Sequence, residues 1–309
     1  MNKILYFLIC SLLLCSCESM VNDLDQDKLP KTESKLVVEC YISPQSEIIM
    51  VQLTESQPLF GPSTYVPVYI ANATVTLSGE NGAIVIPYVD STFTYRISSD
   101  KFKIEAGKKY NLVVTDGART VRASCIVPLK KAEIKSYAID TVFGYRYDGD
   151  TVARIKMSWY DIKGESNYYT LRGYAETELT APYYDSETGG SKPQRVASKT
   201  MLDYTHQDFL VSDTNLDGIT FEAPAYYVQL PTKFSFPYKD QMIYSDPRFK
   251  AVQFEILNLD EHYYRFYKSL KDHGNADNPF VEPALVYTNI EGGLGCFASY
   301  NAGIYLVKP

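Results

Sequence analysis

Only three histidines, His206, His262 and His273, occur in 309 residues. None belongs to an H-E-x-x-H pair or stands at metal-ligand spacing from a cysteine, so zinc-hydrolase and zinc-finger patterns are missing. A G-x-S-x-G elbow and a P-loop are missing too. Gly292-Gly293-Leu294-Gly295 is rich in glycine, but no strand-turn-helix context follows to set a helix N-terminus on a phosphate. Positive charge is short: 30 Lys and Arg face 37 Asp and Glu, a formal net charge of −7. Such a chain has no general attraction for nucleic acid or an anionic membrane face. No apolar run reaches the ~20 residues of a spanning helix. The chain is therefore read as a non-enzyme with no cofactor, no metal and no nucleic-acid partner. Paired carboxylates brought together by the fold are the one catalytic arrangement left open.

What is present begins at the N-terminus. Lys3 precedes the apolar run Ile4 to Leu14, which ends in Leu14-Cys15-Ser16-Cys17. A charged start, a short apolar stretch and a small residue before a cysteine make a secretory signal with a lipoprotein cleavage site. Cys17 fits as the lipidation site, with Leu14 three positions before it and Ser16 directly before it; Cys15 has Leu14 directly before it and fits poorly. Residues 1–16 form the signal peptide. Their removal takes Lys3 and no acid, leaving 29 basic against 37 acidic side chains, a charge of −8. An acidic chain is then held by covalent lipid, and two or more acyl chains make such attachment stable. Residues 17–34 carry Glu18, Asp23, Asp25, Asp27 and Glu33 with Pro30 and no periodicity, and read as a flexible tether.

With 27 Tyr, 14 Phe and one Trp, the remainder favours strands, where aromatic side chains pack on a pleated surface. The expected fold class is mainly β, in two β-sandwich domains. The first, residues 35–128, shows period-two runs at Leu36 to Ile42, Ile48 to Leu53, Ala73 to Leu77, Ala83 to Tyr88, Thr92 to Ile97, Tyr110 to Thr115 and Thr120 to Val127. Turn signals separate them, among them Asp116-Gly117, a two-residue hairpin signal. Seven short strands in this space indicate an immunoglobulin- or transthyretin-like sandwich. Cys40 and Cys125 fall on inward faces of the first and last strands, placed either for a disulfide or as two buried thiols.

The second domain, residues 129–309, opens with the alternation Ile155, Met157, Trp159, a polar turn and a strand starting Tyr168-Tyr169, as in a fibronectin-like sandwich. Trp159 reads as core. Thr180 to Lys199, hydrophilic and containing Gly189-Gly190 and Pro193, reads as a surface loop. Asp213-Thr214-Asn215-Leu216-Asp217-Gly218 matches half of a calcium loop, but its twelfth position is Pro224 rather than Glu, which leaves an Asx-rich turn. One helix is expected over 259–272, capped by Asn258 with Glu261 reaching back. Tyr263, Phe266, Tyr267 and Leu270 share one face at i, i+3, i+4 and i+7, a docking stripe against the sheet.

The closing segment is the most distinctive: Asn278-Pro279-Phe280-Val281-Glu282-Pro283, then Val286-Tyr287-Thr288-Asn289-Ile290-Glu291-Gly292-Gly293-Leu294-Gly295, then Phe297 and Tyr300-Asn301. Together with Leu36-Val37-Val38-Glu39-Cys40-Tyr41-Ile42 and Asn167-Tyr168-Tyr169, it resembles the domain-of-unknown-function 4249 family of Bacteroidota lipoproteins. The sequence departs from the family pattern at Cys40 and Cys296, where Gly and Ile are more usual. The resemblance implies an outer-membrane lipoprotein, anchored on the periplasmic or cell-surface face, with a TonB-dependent transporter as partner. Asn278, Pro279, Phe280, Glu282, Pro283, Asn289, Gly292, Gly293 and Gly295 form either a partner rim or a strand and tight turn that seals the second domain. Two functional readings follow. One is a non-enzymatic accessory protein that captures a small-molecule, peptide or glycan ligand for the transporter. The other is a structural or adhesive cell-surface module.

Overall fold

A computed structural model describes residues 33–57, 66–143, 151–186, 189–202, 209–229, 233–274 and 285–308. The signal peptide, Cys17, nearly all of the tether, His206 and the segment from Asn278 to Pro283 lie outside these residues. Lys35–Glu55 and Pro67–Pro309 make up one compact unit. Within it the protein is mainly β, with one α-helix among the described residues.

The expected strands of the first half appear as β1 (Leu36–Ile42), β2 (Ile48–Glu55), β3 (Thr74–Gly79), β4 (Gly82–Ile86), β5 (Tyr88–Val89), β6 (Thr94–Ser98), β7 (Lys109–Asp116) and β8 (Arg119–Ile126). In β1, Leu36, Val38, Cys40 and Ile42 are buried while Glu39 and Tyr41 point the other way, as strand alternation requires. The second half contains β9 (Glu133–Phe143), β10 (Thr151–Tyr160), β11 (Tyr168–Asp185), β12 (Gly190–Met201), β13 (Leu210–Ser212), β14 (Thr220–Glu222), β15 (Tyr226–Gln229), β16 (Ser235–Tyr238), β17 (Gln241–Tyr244) and β18 (Arg248–Leu259). Helix α1 (Glu261–Gly274) and β19 (Leu294–Val307) close the chain.

One nine-stranded sheet organises the unit, in the order β12-β11-β18-β19-β1-β2-β6-β5, with β13 also on β11. Its hinge piece is β19. The first part of β19 runs parallel to β1, from Val37 opposite Leu294 to Ile42 opposite Ser299. The later part runs antiparallel to β18, from Leu259 opposite Tyr300 to Val252 opposite Val307. The sheet therefore passes across the division expected at residues 128 and 129.

Two cores lie on one face of this sheet. In the first, Val38, Cys40, Val51, Tyr95 and Phe297 meet Val75, Leu77, Leu112, Val121 and Cys125 from the β4-β3-β7-β8 sheet. In the second, Leu171, Phe254 and Ile256 meet Ile155, Met157 and Trp159 from the β10 sheet. Trp159 is fully buried and stacks on Phe221 with ring centroids 5.5 Å apart. Between the cores the same face of β19 turns polar. Ser299 Oγ donates to the Ile126 carbonyl, and Asn301 Nδ2 donates to the carbonyls of Pro128 and Leu129. Asn258 Nδ2 donates to the Lys130 carbonyl. These bonds satisfy the backbone of the connection that leaves one core and enters the other.

Two expectations are corrected, and of the two readings open for Cys40 and Cys125 the structure has the buried thiols: Cys40, Cys125 and Cys296 are free and buried, each a small apolar core residue. The helix starts at Glu261, and Asp260 rather than Asn258 caps it, because β18 holds Asn258 and Leu259 in strand pairing with β11 and β19. The hydrophilic stretch Thr180 to Lys199 is not a loop but most of a long β11–β12 hairpin. Its strand β12 is exposed along its length, and cross-strand pairs such as Arg195–Glu178 at 2.9 Å replace apolar alternation.

Candidate ligand-binding cleft

The face of the sheet opposite the two cores carries α1. On β1 the outward residues are Glu39 and Tyr41, on β19 they are Cys296, Ala298 and Tyr300, and on β11 Arg172 lies among them. The apolar stripe of α1, Tyr263 and Phe266 with Tyr267 and Leu270, seats on Leu257, Leu259, Cys296, Ala298 and Tyr300, as its spacing predicts. Beside the helix the sheet is left uncovered over β1 and β2. There a cleft of about 460 Å³ opens, lined by Glu39, Tyr41, Ser46, Ile48, Met50, Gln52, Arg172, Tyr263, Tyr267 and Tyr300. Its size lies in the range of small-ligand sites.

One wall is tyrosine. The rings of Tyr263 and Tyr267, one helical turn apart, stack with centroids 4.7 Å apart, and Tyr41 tilts against them at 5.0 and 5.8 Å. The opposite lip is apolar, formed by Ile48 (42% exposed) and Met50 (47% exposed). Arg172 lies over the Tyr300 ring, its Cζ 4.8 Å from the centroid, in a cation–π contact. Ser46 Oγ and the Tyr300 hydroxyl are 3.2 Å apart.

Two buried polar atoms of the lining residues are incompletely satisfied. The buried Tyr41 hydroxyl faces Tyr267 without a hydrogen bond of normal geometry, and Arg172 Nε lacks one as well. Glu255 stands 3.4 Å from Arg172 Nε, an ion-pair distance rather than a hydrogen bond, and is also bonded by Gln253. Desolvation by burial raises the Glu39 carboxyl even though the residue is exposed at its edge. Burial opposes the charge of Arg172, but Tyr300 and Glu255 outweigh it and keep the guanidinium charged. Burial also pushes the hydroxyls of Tyr41, Tyr263 and Tyr267 upward, so all three stay neutral. Neutral tyrosines, one cation and one exposed carboxylate are groups suited to binding and orienting; among the described lining residues no nucleophile is paired with a base.

The helix that makes the wall is fixed at its start by Asp260. One carboxylate oxygen, Oδ1, accepts the Tyr263 N–H at 2.8 Å, the N-cap bond. The other, Oδ2, accepts the Ser299 N–H at 2.8 Å and lies 2.8 Å from Ser299 Oγ. Burial first, against these hydrogen bonds, raises the Asp260 carboxyl to about 7. On the outer side, the Tyr287 hydroxyl meets His262 Nδ1 at 2.7 Å, and the Tyr287 N–H donates to Ser269 Oγ at 2.8 Å.

The described members of the expected partner rim are placed in the β1–β19 junction. The Asn289 side chain makes two bonds to the Phe297 backbone, Oδ1 from its N–H at 3.0 Å and Nδ2 to its carbonyl at 2.7 Å. Gly292 is exposed with φ +80°, whereas Gly293 and Gly295 face the β1 backbone, where a Cβ would stand 2.7 Å from the Leu36 carbonyl oxygen and 2.1 Å from that of Val38. Asp213 and Asp217 are likewise used internally: Asp213 Oδ2 accepts the Asn167 N–H and Asp217 Oδ1 the Gly164 N–H. In return Asp161 Oδ2 accepts the Gly218 N–H, so the two turns lock each other. Of the cleft residues, drawn from β1, β2, β11, α1 and β19, Glu39, Tyr41 and Tyr300 lie in stretches that carry the family resemblance and Tyr263 and Tyr267 in the aromatic stripe of α1, but no motif marked them as a site.

A family model described as "Domain of unknown function (DUF4249)" matches residues 21–304, nearly the whole chain. No curated protein matches the sequence.

Proposed function

The chain belongs to the domain-of-unknown-function 4249 family, and from that starting point we propose that it is a non-enzymatic outer-membrane lipoprotein that captures a ligand beside a TonB-dependent transporter. The observation that carries the reading is the tyrosine cleft, with Glu39, Gln52 and Arg172 among its lining residues, set on a rigid sheet and helix. Rigid elements hold contact groups more exactly than loops do. Support for the address comes from the charged start, short apolar run and Leu14-Cys15-Ser16-Cys17. In this reading lipid on Cys17 keeps the protein at the membrane, and the cleft raises the ligand concentration at the mouth of the transporter.

Deletion of the gene followed by complementation tests this. Loss of growth on a particular nutrient, restored by the natural sequence and not by a Cys17→Ser chain, is the expected result. Normal growth on every nutrient with loss of cell adhesion would instead establish the adhesive reading.

A further inference from the structure

We propose that the cleft takes a neutral sugar, a mono- or disaccharide unit bound with its C–H face on tyrosine and its hydroxyls on Glu39, Gln52 and Arg172. The inference rests on the capture reading and specifies its ligand. Charge is the first argument. A carboxylated or phosphorylated ligand would meet Arg172, but Arg172 is already within 3.4 Å of Glu255, and Glu39 would repel the anion from the same cleft. A cationic ligand would be drawn to Glu39 and pushed back by Arg172. The cleft is thus electrostatically balanced and favours a ligand without net charge.

Hydrogen-bond capacity is the second argument. The guanidinium only donates, the Glu39 carboxylate accepts, and the Gln52 amide does both. A hydroxyl is neutral and serves as donor and acceptor through one oxygen, and vicinal hydroxyls match the fork of a guanidinium or a carboxylate. The third argument is the wall. Tyr41 and Tyr267 are half-buried, so part of each ring borders the cleft. The negative ring face attracts the weakly positive C–H bonds of a pyranose without requiring charge. Ile48 and Met50 close the other side with apolar surface.

The test uses full-length lipidated protein in a detergent that carries no sugar. Saturation-transfer NMR and calorimetry are run with maltose, cellobiose, lactose, glucuronate, choline and a neutral dipeptide. At least one neutral disaccharide is expected to bind, with transfer to its ring C–H protons. Glu39→Gln and Gln52→Ala, both at the cleft edge, should each weaken it about tenfold or more, while Tyr183→Ala on the distant exposed hairpin leaves it unchanged. Binding of glucuronate, choline or the dipeptide in a Glu39→Gln-sensitive manner, with no sugar bound, would overturn the sugar assignment and leave ligand capture standing. Silence from every probe, or sugar binding indifferent to Glu39→Gln and Gln52→Ala, would also overturn it. Association with a transporter is read separately and does not depend on these outcomes.

Discussion

A Gly295→Ala chain is expected to lose about 4 kcal/mol of stability, at the high end for a single substitution. Gly295 has φ +100°, outside the conformations an L side chain adopts readily. An added Cβ would also stand 2.1 Å from the Val38 carbonyl oxygen and 2.9 Å from its carbonyl carbon and amide nitrogen. Those are backbone atoms of β1, so no rotamer change relieves the contact; the parallel β1–β19 pairing must open. That pairing places Tyr41 beside the α1 rings, and cleft and fold should fail together. Gly117 is the control. Its φ is +52° but its Cβ position is open, so Gly117→Ala should cost only about 1–2 kcal/mol. Urea unfolding of the two variants measures the contrast, and equal midpoints would show that β19 does not approach β1 as described.

The second large effect concerns pH. Asp260 titrates at about 7 in the folded protein against a reference of 3.8, and burial is the leading cause. The native state thus keeps a proton that the unfolded chain releases. Stability from the neutral form is complete below pH 3.8 and is lost as pH rises through about 7, a change of about 4 kcal/mol across that window. The geometry accounts for the proton. Ser299 Oγ has one hydrogen but two acceptors in reach, the Ile126 carbonyl at 3.0 Å and Asp260 Oδ2 at 2.8 Å. With Asp260 protonated, its hydroxyl donates to Ser299 Oγ, which donates on to Ile126, and every group is satisfied. Asp260→Asn loses some stability at all pH values, because its amide has one accepting oxygen for two N–H groups, and keeping the Tyr263 cap turns its NH2 toward the Ser299 N–H. Its stability between pH 4.5 and 7.5 should nevertheless lack the downward slope expected of the parent. Parallel slopes in parent and variant would rule out Asp260 as the titrating group.

Much of the first half was legible because its strands alternate cleanly: β1, β2, β7 and β8 bury every second residue, and Asp116-Gly117 marks their last hairpin. The family resemblance was legible as well, from motifs spread over both halves. The β11–β12 hairpin was not, because Ser191 to Lys199 is exposed on both faces, its few apolar residues do not alternate, and periodicity has nothing to register. The helix start was displaced by two residues, since Leu257 to Leu259 is buried on both faces and reads equally as strand or helix. The parallel return of β19 onto β1 joins residues more than 250 apart in sequence, and no local pattern encodes such a partner. The cleft follows from that return. Tyr41 and Glu39 read as a solvent face until β19 and α1 arrive beside them.

In the proposed function the protein works as one part of an assembly at the outer membrane. Isolation of the full-length lipidated chain from outer membranes solubilised in mild detergent tests it most directly. A TonB-dependent transporter should co-purify in near-stoichiometric amount, and the Cys17→Ser chain should bring down far less. Recovery of the natural lipidated chain as a clean single species under the same conditions would contradict it.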